Sequence, residues 1–285
     1  MAPASPKPQS PPVHILGGLG RWTLGLAPGT LRLLGVIGQN WHLFSQTLYW
    51  SFVAPLNPKQ PTRLRSQLFG MMTNVGVRSA PIVCLVALLV GAILVLQTGE
   101  TIDRFGQIEE GPGLVALSMT RALGPLMTAI VLISRVGASY TAVLGSMNIN
   151  DEITALETMS INPIGYLVAP RFLSMLIMTP CLVVFAYLMG MTGGAVVAYP
   201  VYDITFPRYA AKSFEYLSMP DLFAGIIKAS VFGVLISIVS CYYGLTSRGG
   251  PTGLGRNIMV SVVTCLVVIV FADAILTALI NNYLF

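Results

Sequence analysis

Five long apolar runs, separated by short polar stretches, dominate the chain. We place membrane-spanning helices in these runs at about 79–98, 114–134, 172–200, 222–246 and 257–282. The stretches from Ser79 to Gly99 and from Phe172 to Tyr202 contain no charged residue. Each stretch exceeds the roughly 20 residues that a helix needs to cross about 30 Å of hydrocarbon. The pattern therefore predicts an all-α polytopic membrane protein with about five transmembrane helices.

The sequence before the first span has a different pattern. Residues 1–12 contain five prolines and predict a disordered tail. In residues 13–65 large apolar side chains recur near helical spacing, interrupted by Arg21, Arg32 and His42, and they predict amphipathic helices lying in the membrane interface. A sixth span at about 31–53 is the alternative interpretation.

The polar stretch between the second and third spans contains a short acidic segment, 151–160. Asn150 is placed to cap its first turn, and Asp151 and Glu152 lie where the helix dipole favours negative charge. We expect Pro163 to end this helix, because the residue before a proline is disfavoured in the α conformation.

This short helix is also amphipathic. Ile153, Leu156 and Met159 recur every three residues and form a narrow apolar stripe. A helix of about ten residues is marginal alone in water. We therefore expect the stripe to lie either on the cytoplasmic face of this protein or against a soluble partner subunit.

Composition agrees with a membrane protein. Hydrophobic residues make up 54% of the chain and charged residues 9%, against about 25% charged in soluble domains, and the mean hydropathy is +0.75. The four cysteines lie in apolar runs without a CxxC motif, where free Cys behaves as a small hydrophobe. They predict neither a metal site nor a disulfide framework.

The basic residues indicate an orientation. Seven of them, and no acidic residue, precede Glu100. The same side of the predicted bundle also holds Arg135, Arg171, Arg248 and Arg256. The opposite side holds only Arg104, Arg208 and Lys212. The positive-inside rule therefore places the N-terminus in the cytoplasm, and we expect Arg135 and Arg171, at span ends, to extend toward the cytoplasmic headgroups.

Three charged residues fall well inside the predicted spans: Arg121, Lys228 and Asp273. An unpaired charge there costs at least about 2.5–3.5 kcal/mol on insertion scales, so such residues normally face a cavity or each other. One interpretation is a structural ion pair between Asp273 and either basic residue. The other is that Arg121 or Lys228 meets a lipid phosphate in a central cavity, and of the two we expect Lys228 to contact the lipid.

Small residues and prolines mark special places in the spans. The small residues of the first and third spans are Gly91, Ala92, Gly190, Gly193, Gly194, Ala195 and Ala198. In lipid such residues let helix backbones approach closely, so we expect tight packing there rather than a hinge. Pro81, Pro125 and Pro180 lie within or at the ends of spans and predict kinks or early helix starts.

A series of short motifs runs through the chain. It comprises Arg135-Val136-Gly137-Ala138, Leu144-Gly145-Ser146-Met147, Ala155-Leu156, Met159, Pro163 and Tyr166-Leu167-Val168-Ala169-Pro170-Arg171. Further members are Arg121-Ala122-Leu123-Gly124-Pro125, Lys228, Phe271-Ala272-Asp273 and Leu276-Thr277-Ala278. Together they resemble the MlaE/YrbE family, the permease subunits of ABC-type lipid transporters associated with MCE proteins. The resemblance places an MlaE-type permease domain at 66–285.

The resemblance implies a permease of the bacterial inner membrane that moves phospholipid between that membrane and a periplasmic MCE protein. It implies a permease homodimer, a cytoplasmic ABC ATPase that binds ATP and Mg, and an MCE-domain ring on the outer side. No catalytic residue, metal, cofactor or nucleic-acid partner is expected on this chain. The segment that docks on the ATPase is a coupling helix, which here corresponds to Asp151, Glu152, Ile153, Leu156, Glu157 and Met159.

Some positions depart from the family pattern. Ala122 and Val143 stand where the family commonly has glutamate, and Met259-Val260 replaces a common Thr-Arg pair. Any charge relay that depends on those groups is therefore not expected in this chain.

Absent motifs narrow the function further. The chain has no GxxxxGK[ST] motif for nucleotide phosphates and no GxSxG or HExxH motif of a hydrolase. The energy for transport must therefore come from another subunit or from an ion gradient. An ion-coupled secondary transporter of a lipid or other amphipathic substrate is the alternative, although only Asp273 is placed to carry a proton and five spans do not divide into inverted halves.

Overall fold

The computed structural model describes residues 43–51 and 61–284, and every regular element in these ranges is helical. Helix α1 covers 43–51. The others are α2 (Pro61–Val75), α3 (Ala80–Asp103), α4 (Gly111–Ser118), α5 (Gly124–Leu132), α6 (Ala138–Ile149), α7 (Glu152–Thr158), α8 (Ala169–Tyr202), α9 (Phe206–Tyr216), α10 (Met219–Leu245) and α11 (Gly250–Leu284). The expected tail 1–12 and most of the interfacial region 13–65 lie outside the described residues.

The five-span architecture predicted from the apolar runs is confirmed. The helices that are long and apolar enough to cross a membrane are Gln67–Ile102, Gly111–Ile149, Ile164–Tyr202, Met219–Leu245 and Gly250–Asn282. They are longer than the predicted spans. The second has 39 residues, about 58 Å at 1.5 Å per residue, so Arg135 lies inside a continuous helix rather than at its end.

Three π-helical turns widen the second and third spans. They cover Met119–Leu123, Ile133–Gly137 and Ile164–Val168. Two of them lead directly into Gly124-Pro125 and Ala169-Pro170, so each proline is the second residue beyond the turn. A proline ring clashes with the carbonyl four residues earlier, and a wider turn accommodates it without ending the helix. Pro125 is therefore accommodated within a continuous span rather than ending it.

The first and third spans pack closely through glycines. A side chain at Gly91 would meet the backbone of Gly190, with the Cα of Gly190 2.9 Å from the added carbon. A side chain at Gly193 would meet the backbone of Leu88 in the same way. The expectation of tight packing at these small residues is therefore confirmed.

The fourth span forms the centre of the bundle and the fifth forms its edge. Phe232, Ile236 and Cys241 of α10 are fully buried. In α11 the buried positions Ser261, Cys265 and Ile269 recur every four residues, which places a single stripe of this helix against the rest of the chain. Eight large side chains of α11 are exposed: Met259, Val260, Val263, Val267, Val270, Phe271, Ile275 and Leu279.

The expectation that Arg171 extends to the headgroups is wrong. Only 6% of the residue is exposed. Its Nη1 donates to the carbonyl of Leu167 at 2.6 Å, and the guanidinium lies over the ring of Tyr140 at 5.7 Å from the centroid. Arg171 closes the wide turn at Ile164–Val168 and packs inward, so its charge is satisfied by a carbonyl and an aromatic face.

Candidate functional site

The site is built around two backbone carbonyls in the second span that have no helical partner. In the turn Met119–Leu123 the N–H of Gly124 bonds to the carbonyl of Met119, five residues earlier. In an α-helix that N–H would bond to the carbonyl of Thr120. This carbonyl therefore lacks a backbone donor. The carbonyl of Arg121 also lacks its α-helical donor, because Pro125 has no N–H.

Side chains from the third and fourth spans satisfy both carbonyls. The hydroxyl of Tyr187 donates to the carbonyl of Thr120 at 3.0 Å, and the ammonium of Lys228 donates to the carbonyl of Arg121 at 2.9 Å. Gly225 lets α10 come this close, since a side chain there would lie 2.5 Å from the carbonyl of Thr120. Three spans are thus joined at one wide turn.

Lys228 is buried and has partners from two spans at this position. Besides the carbonyl of Arg121, its Nζ lies 2.7 Å from the hydroxyl of Thr277 and 3.0 Å from Oδ1 of Asp273. An ammonium has three donors, and the residue is only 2% exposed. The contact with Asp273 is an ion pair without good hydrogen-bond geometry, because Oδ1 of Asp273 accepts no hydrogen bond among the described residues. Two of the three donors of Lys228 are thus used in hydrogen bonds and the ammonium is paired with Asp273, so this buried residue is not accessible to a lipid phosphate in this arrangement.

Arg121 has a different carboxylate partner. Its Nε donates to Oδ1 of Asp221 at 2.5 Å, and Oδ2 of Asp221 accepts from the hydroxyl and the N–H of Ser218 at 2.5 and 3.3 Å. Ser218 and Asp221 form the capping box at the start of α10. The Asp221 side chain is 3% exposed, whereas that of Arg121 is 37% exposed, so part of the Arg121 side chain is accessible from outside the chain.

The structure thus brings together the three charged residues singled out in the sequence, but in two pairs. Asp273 pairs with Lys228, and Arg121 pairs with Asp221. Sequence reasoning missed Asp221 and Tyr187. Ser218-x-x-Asp221 is a readable capping-box pattern ahead of an apolar run, and it would have identified Asp221. Nothing in the sequence distinguishes Tyr187 from a tyrosine that faces lipid.

The coupling segment forms a helix at the end of the second span, but its ends differ from the prediction. Asn150 does not cap it. Asp151 occupies the N-cap with a left-handed backbone, φ 58°, and no side-chain cap hydrogen bond. The helix ends at Thr158, well before Pro163, because Ser160 adopts φ 60°.

This C-terminal end is a Schellman motif. The N–H of Ile161 bonds to the carbonyl of Leu156 at 3.0 Å, and the N–H of Ser160 bonds to the carbonyl of Glu157 at 2.9 Å. A left-handed residue in this position satisfies the last carbonyls of the helix. The helix therefore spans seven residues rather than the ten predicted.

The apolar stripe of this helix is buried at one end and exposed at the other. Ile153 is 8% exposed and, with Leu156, packs against the main core of the bundle. Met159 is 69% exposed. The outward face consists of Asp151, Glu152, Thr154, Ala155, Glu157, Thr158 and Met159. The sequence left open whether the stripe packs on this protein or on a partner. Ile153 and Leu156 pack on this protein, and Met159 does not.

An ion-pair cluster lies at the opposite end of the bundle, where α9 packs on the start of α4. Glu110 accepts from the hydroxyl of Tyr216 at 2.6 Å and from Lys212 at 3.3 Å, and these contacts hold the pKa of Glu110 below its ordinary value. The pKa of Lys212 is raised, first by its contact with Glu215 and then by Glu110. Arg208 pairs with Glu109 at 2.7 Å. The cluster fixes α9 to the start of the second span.

Comparison with known proteins identifies the fold. A family model described as Permease MlaE matches residues 68–279. A probable ABC transporter permease protein of Rickettsia prowazekii (strain Madrid E) is 34% identical over 253 residues, which cover 87% of this chain and 98% of that protein. A probable ABC transporter permease protein of Synechocystis sp. is 33% identical over 213 residues, 75% of this chain and 81% of that protein.

A plant protein is also similar. The Arabidopsis thaliana protein TRIGALACTOSYLDIACYLGLYCEROL 1, chloroplastic, is 30% identical over 207 residues, 73% of this chain and 59% of that protein. The family match covers all five spans, from near the start of the first helix to near the end of the last. The chain therefore belongs to the MlaE permease family, and it is a multi-span membrane permease subunit of the ABC transporter class.

Proposed function

We propose that this chain is the permease subunit of an ABC transporter that moves phospholipid between the bacterial inner membrane and a periplasmic MCE protein. A separate cytoplasmic ATPase, with its ATP and Mg, powers the cycle, and two copies of the chain form the permease. The family match supports the permease role, and a relative named after a diacylglycerol galactolipid supports a lipid substrate.

The observation that carries the lipid proposal is the charged network at the wide turn of the second span. Charges in hydrocarbon are expensive and are retained where they face a substrate path or each other. Lys228 is buried and paired with Asp273, but the Arg121 side chain is 37% exposed. Arginine matches a phosphate geometrically and can bind it through two parallel hydrogen bonds. We therefore assign the phosphate contact to Arg121 and the structural role to Lys228, the reverse of the sequence-based expectation.

The outward face of α7 is the proposed docking surface for the ATPase. Its acidic residues and Met159 are exposed, while Ile153 and Leu156 hold the helix on the bundle. A substitution at Leu156 would disturb the packing of this chain itself. Met159 is therefore the residue at which docking can be tested without affecting the fold.

The homodimer and the MCE partner belong to the same proposal. The last span, α11, exposes a long apolar face to its surroundings, as a helix at a subunit interface would. The outer end of the bundle, with α9 and its ion pairs, is the surface available to an MCE protein. The N-terminus lies in the cytoplasm in this proposal, as the basic residues predict.

The test is to purify the tagged chain from its native membrane and to identify the proteins and lipids that accompany it. We expect an ABC ATPase, an MCE protein and phospholipid. Met159→Arg should remove the ATPase, because it places a charge in a desolvated contact, while leaving the permease folded. Thr252→Arg, an exposed position at the start of α11, is the matched control.

Arg121→Gln should reduce the bound phospholipid in the same preparation. Arg104→Gln, which removes an exposed outer arginine, should not. Full ATPase recovery with Met159→Arg would exclude the α7 docking surface. Isolation of the chain alone, with transport driven by an ion gradient, would favour the secondary-transporter alternative.

A further inference from the structure

The described cations divide into two groups by their position along the bundle. Every one in the middle or outer part pairs with a carboxylate: Arg104, Arg121, Arg208, Lys212 and Lys228. The arginines of the other end are Arg78, Arg135, Arg171, Arg248 and Arg256. Within the described residues none of these five lies within 4.0 Å of a carboxylate. One end of the bundle therefore carries positive charge that the described part of the chain does not neutralise.

One of these arginines lines an open recess. The recess has a volume of about 140 Å³ and lies between the end of α2 and the second wide turn, Ile133–Gly137. Its lining residues are Asn74, Val75, Arg135, Val136, Ser139 and Tyr140. Each side of the recess therefore combines a polar group with a buried valine: Asn74 with Val75 on α2, and Arg135 with Val136 on the second span.

Arg135 is held in place with most of its donors unused. Its Nη1 donates to the hydroxyl of Ser79 at 2.6 Å, and a guanidinium has five N–H donors. No other hydrogen bond of this side chain is found in the described part of the chain. Arg78 extends the positive surface at the rim, since its Nη1 donates to Oδ1 of Asn74, a lining residue, at 3.2 Å.

The depth of the recess matches a lipid headgroup. Ser79, which holds Arg135, begins the uncharged stretch of the first span. Arg135 is 24 residues beyond Gly111, the outer start of the second span, a helical rise of about 36 Å. The hydrocarbon layer is about 30 Å thick. Arg135 therefore reaches the interface at the end of the bundle that also carries α7.

We propose that this recess binds the phosphate of an anionic glycerophospholipid from the leaflet at the α7 end of the bundle. Arg135 supplies the charged, forked donor, with Asn74 and Ser139 beside it, and the valines face the start of the acyl chains. Basic pockets between transmembrane helices on the cytoplasmic side are suited to phosphate headgroups. The site rests on the five-span architecture and not on the proposed cargo, and it is distinct from Arg121 in the outer half of the same helix.

The experiment measures lipid binding to the purified full-length protein in a zwitterionic detergent. The probes are dihexanoyl phosphatidylglycerol, dihexanoyl phosphatidylcholine and inorganic phosphate. We expect phosphatidylglycerol to bind more tightly than phosphatidylcholine. Arg135→Gln should weaken phosphatidylglycerol binding roughly 10-fold or more, since charge-assisted hydrogen bonds contribute about 1.5–3 kcal/mol. Arg135→Lys should recover only part of the affinity, because lysine lacks the fork.

Ser139→Glu provides a second variant that leaves the contact between Arg135 and Ser79 in place. Ser139 is exposed, so the fold should persist, and the new carboxylate should exclude the phosphate and abolish binding. Arg256→Gln removes an exposed arginine outside the recess that also has no carboxylate partner among the described residues, and it should bind as the unmodified chain does.

Unchanged phosphatidylglycerol affinity in Arg135→Gln and Ser139→Glu would overturn the site. Inorganic phosphate binding as tightly as the lipid would overturn the assignment to a headgroup. Neither result would bear on the Arg121 proposal, whose readout is the phospholipid retained with Arg121→Gln.

Discussion

At the scale of single residues, the second span depends on hydrogen bonds that come from outside its own helix. The carbonyls of Thr120 and Arg121 lie inside the bundle, where water does not replace a missing donor. A buried acceptor left unpaired costs about 1–3 kcal/mol. Tyr187 and Lys228 are therefore structural residues, whatever else this region does.

Tyr187→Phe isolates one of these bonds. Removing the hydroxyl leaves the carbonyl of Thr120 without its donor, and we expect the free energy of unfolding to fall by about 1–3 kcal/mol. Denaturation of the detergent-solubilised protein measures the change. Tyr199→Phe, at a residue 54% exposed, is the control and should change stability by less than about 0.5 kcal/mol. Equal effects at the two tyrosines would contradict the role of Tyr187.

Lys228 and Asp273 should behave as a coupled pair. Lys228→Met leaves the carboxylate of Asp273 beside an apolar neighbour, and breaking a buried pair from one side costs about 3–5 kcal/mol. The double variant Lys228→Met with Asp273→Leu should recover part of that loss. Recovery should be incomplete, because the carbonyl of Arg121 still lacks a donor. A double-mutant cycle of unfolding free energies checks this, and strict additivity would show that the pair is not coupled.

At the scale of elements, α9 is joined to the start of the second span by titratable groups, and the stability of this attachment should depend on pH. The lowered pKa of Glu110 contributes stability above the ordinary value of 4.5, and this contribution is lost as the pH falls through the lowered pKa. The raised pKa of Lys212 contributes stability below its ordinary value of 10.5, and this is lost as the pH rises through the raised pKa. The attachment is therefore complete between these limits.

Hydrogen exchange of residues 206–216, corrected for the intrinsic rate, measures this dependence. We expect strong protection at pH 7 and progressively weaker protection as the pH is lowered from 4.5 through the lowered pKa of Glu110. Glu110→Gln should show the weaker protection already at pH 7, because its side chain carries no charge. If the unmodified chain and Glu110→Gln were equally protected at pH 7, the ion pairs of α9 would not hold it in place.

At the scale of the whole molecule, the alternation of five spans fixes which loops share a side. Single cysteines at Ser160 and Glu215, both exposed, in a background without the four native cysteines should label from opposite sides of the membrane. An impermeant thiol reagent added outside intact cells with a permeabilised outer membrane should reach position 215 alone. Labelling at 160 under those conditions would reverse the proposed orientation and separate α7 from a cytoplasmic ATPase.

The span order was predictable because a long uncharged run has few alternatives to a membrane helix. The close approach at Gly91 and Gly193 was predictable for a related reason, since small residues in lipid have few other uses. The pairing of charges was not predictable, because the partner of Arg121 lies 100 residues away in the sequence. The surface that the α7 stripe contacts was not predictable either. The same apolar spacing occurs in a short helix that packs on its own bundle and in one that packs on a partner.

The wide turn at Met119–Leu123 also bears on how the sequence of this helix evolved. A turn closed by a bond over five residues holds one more residue than an α-turn closed over four, so it is the form that a helix takes after a single-residue insertion. The insertion rotates everything on one side of it by about 100° relative to the other. A homologue without that residue would need no hydroxyl at the position of Tyr187. We therefore expect homologues either to have both the inserted residue and the tyrosine or to lack both.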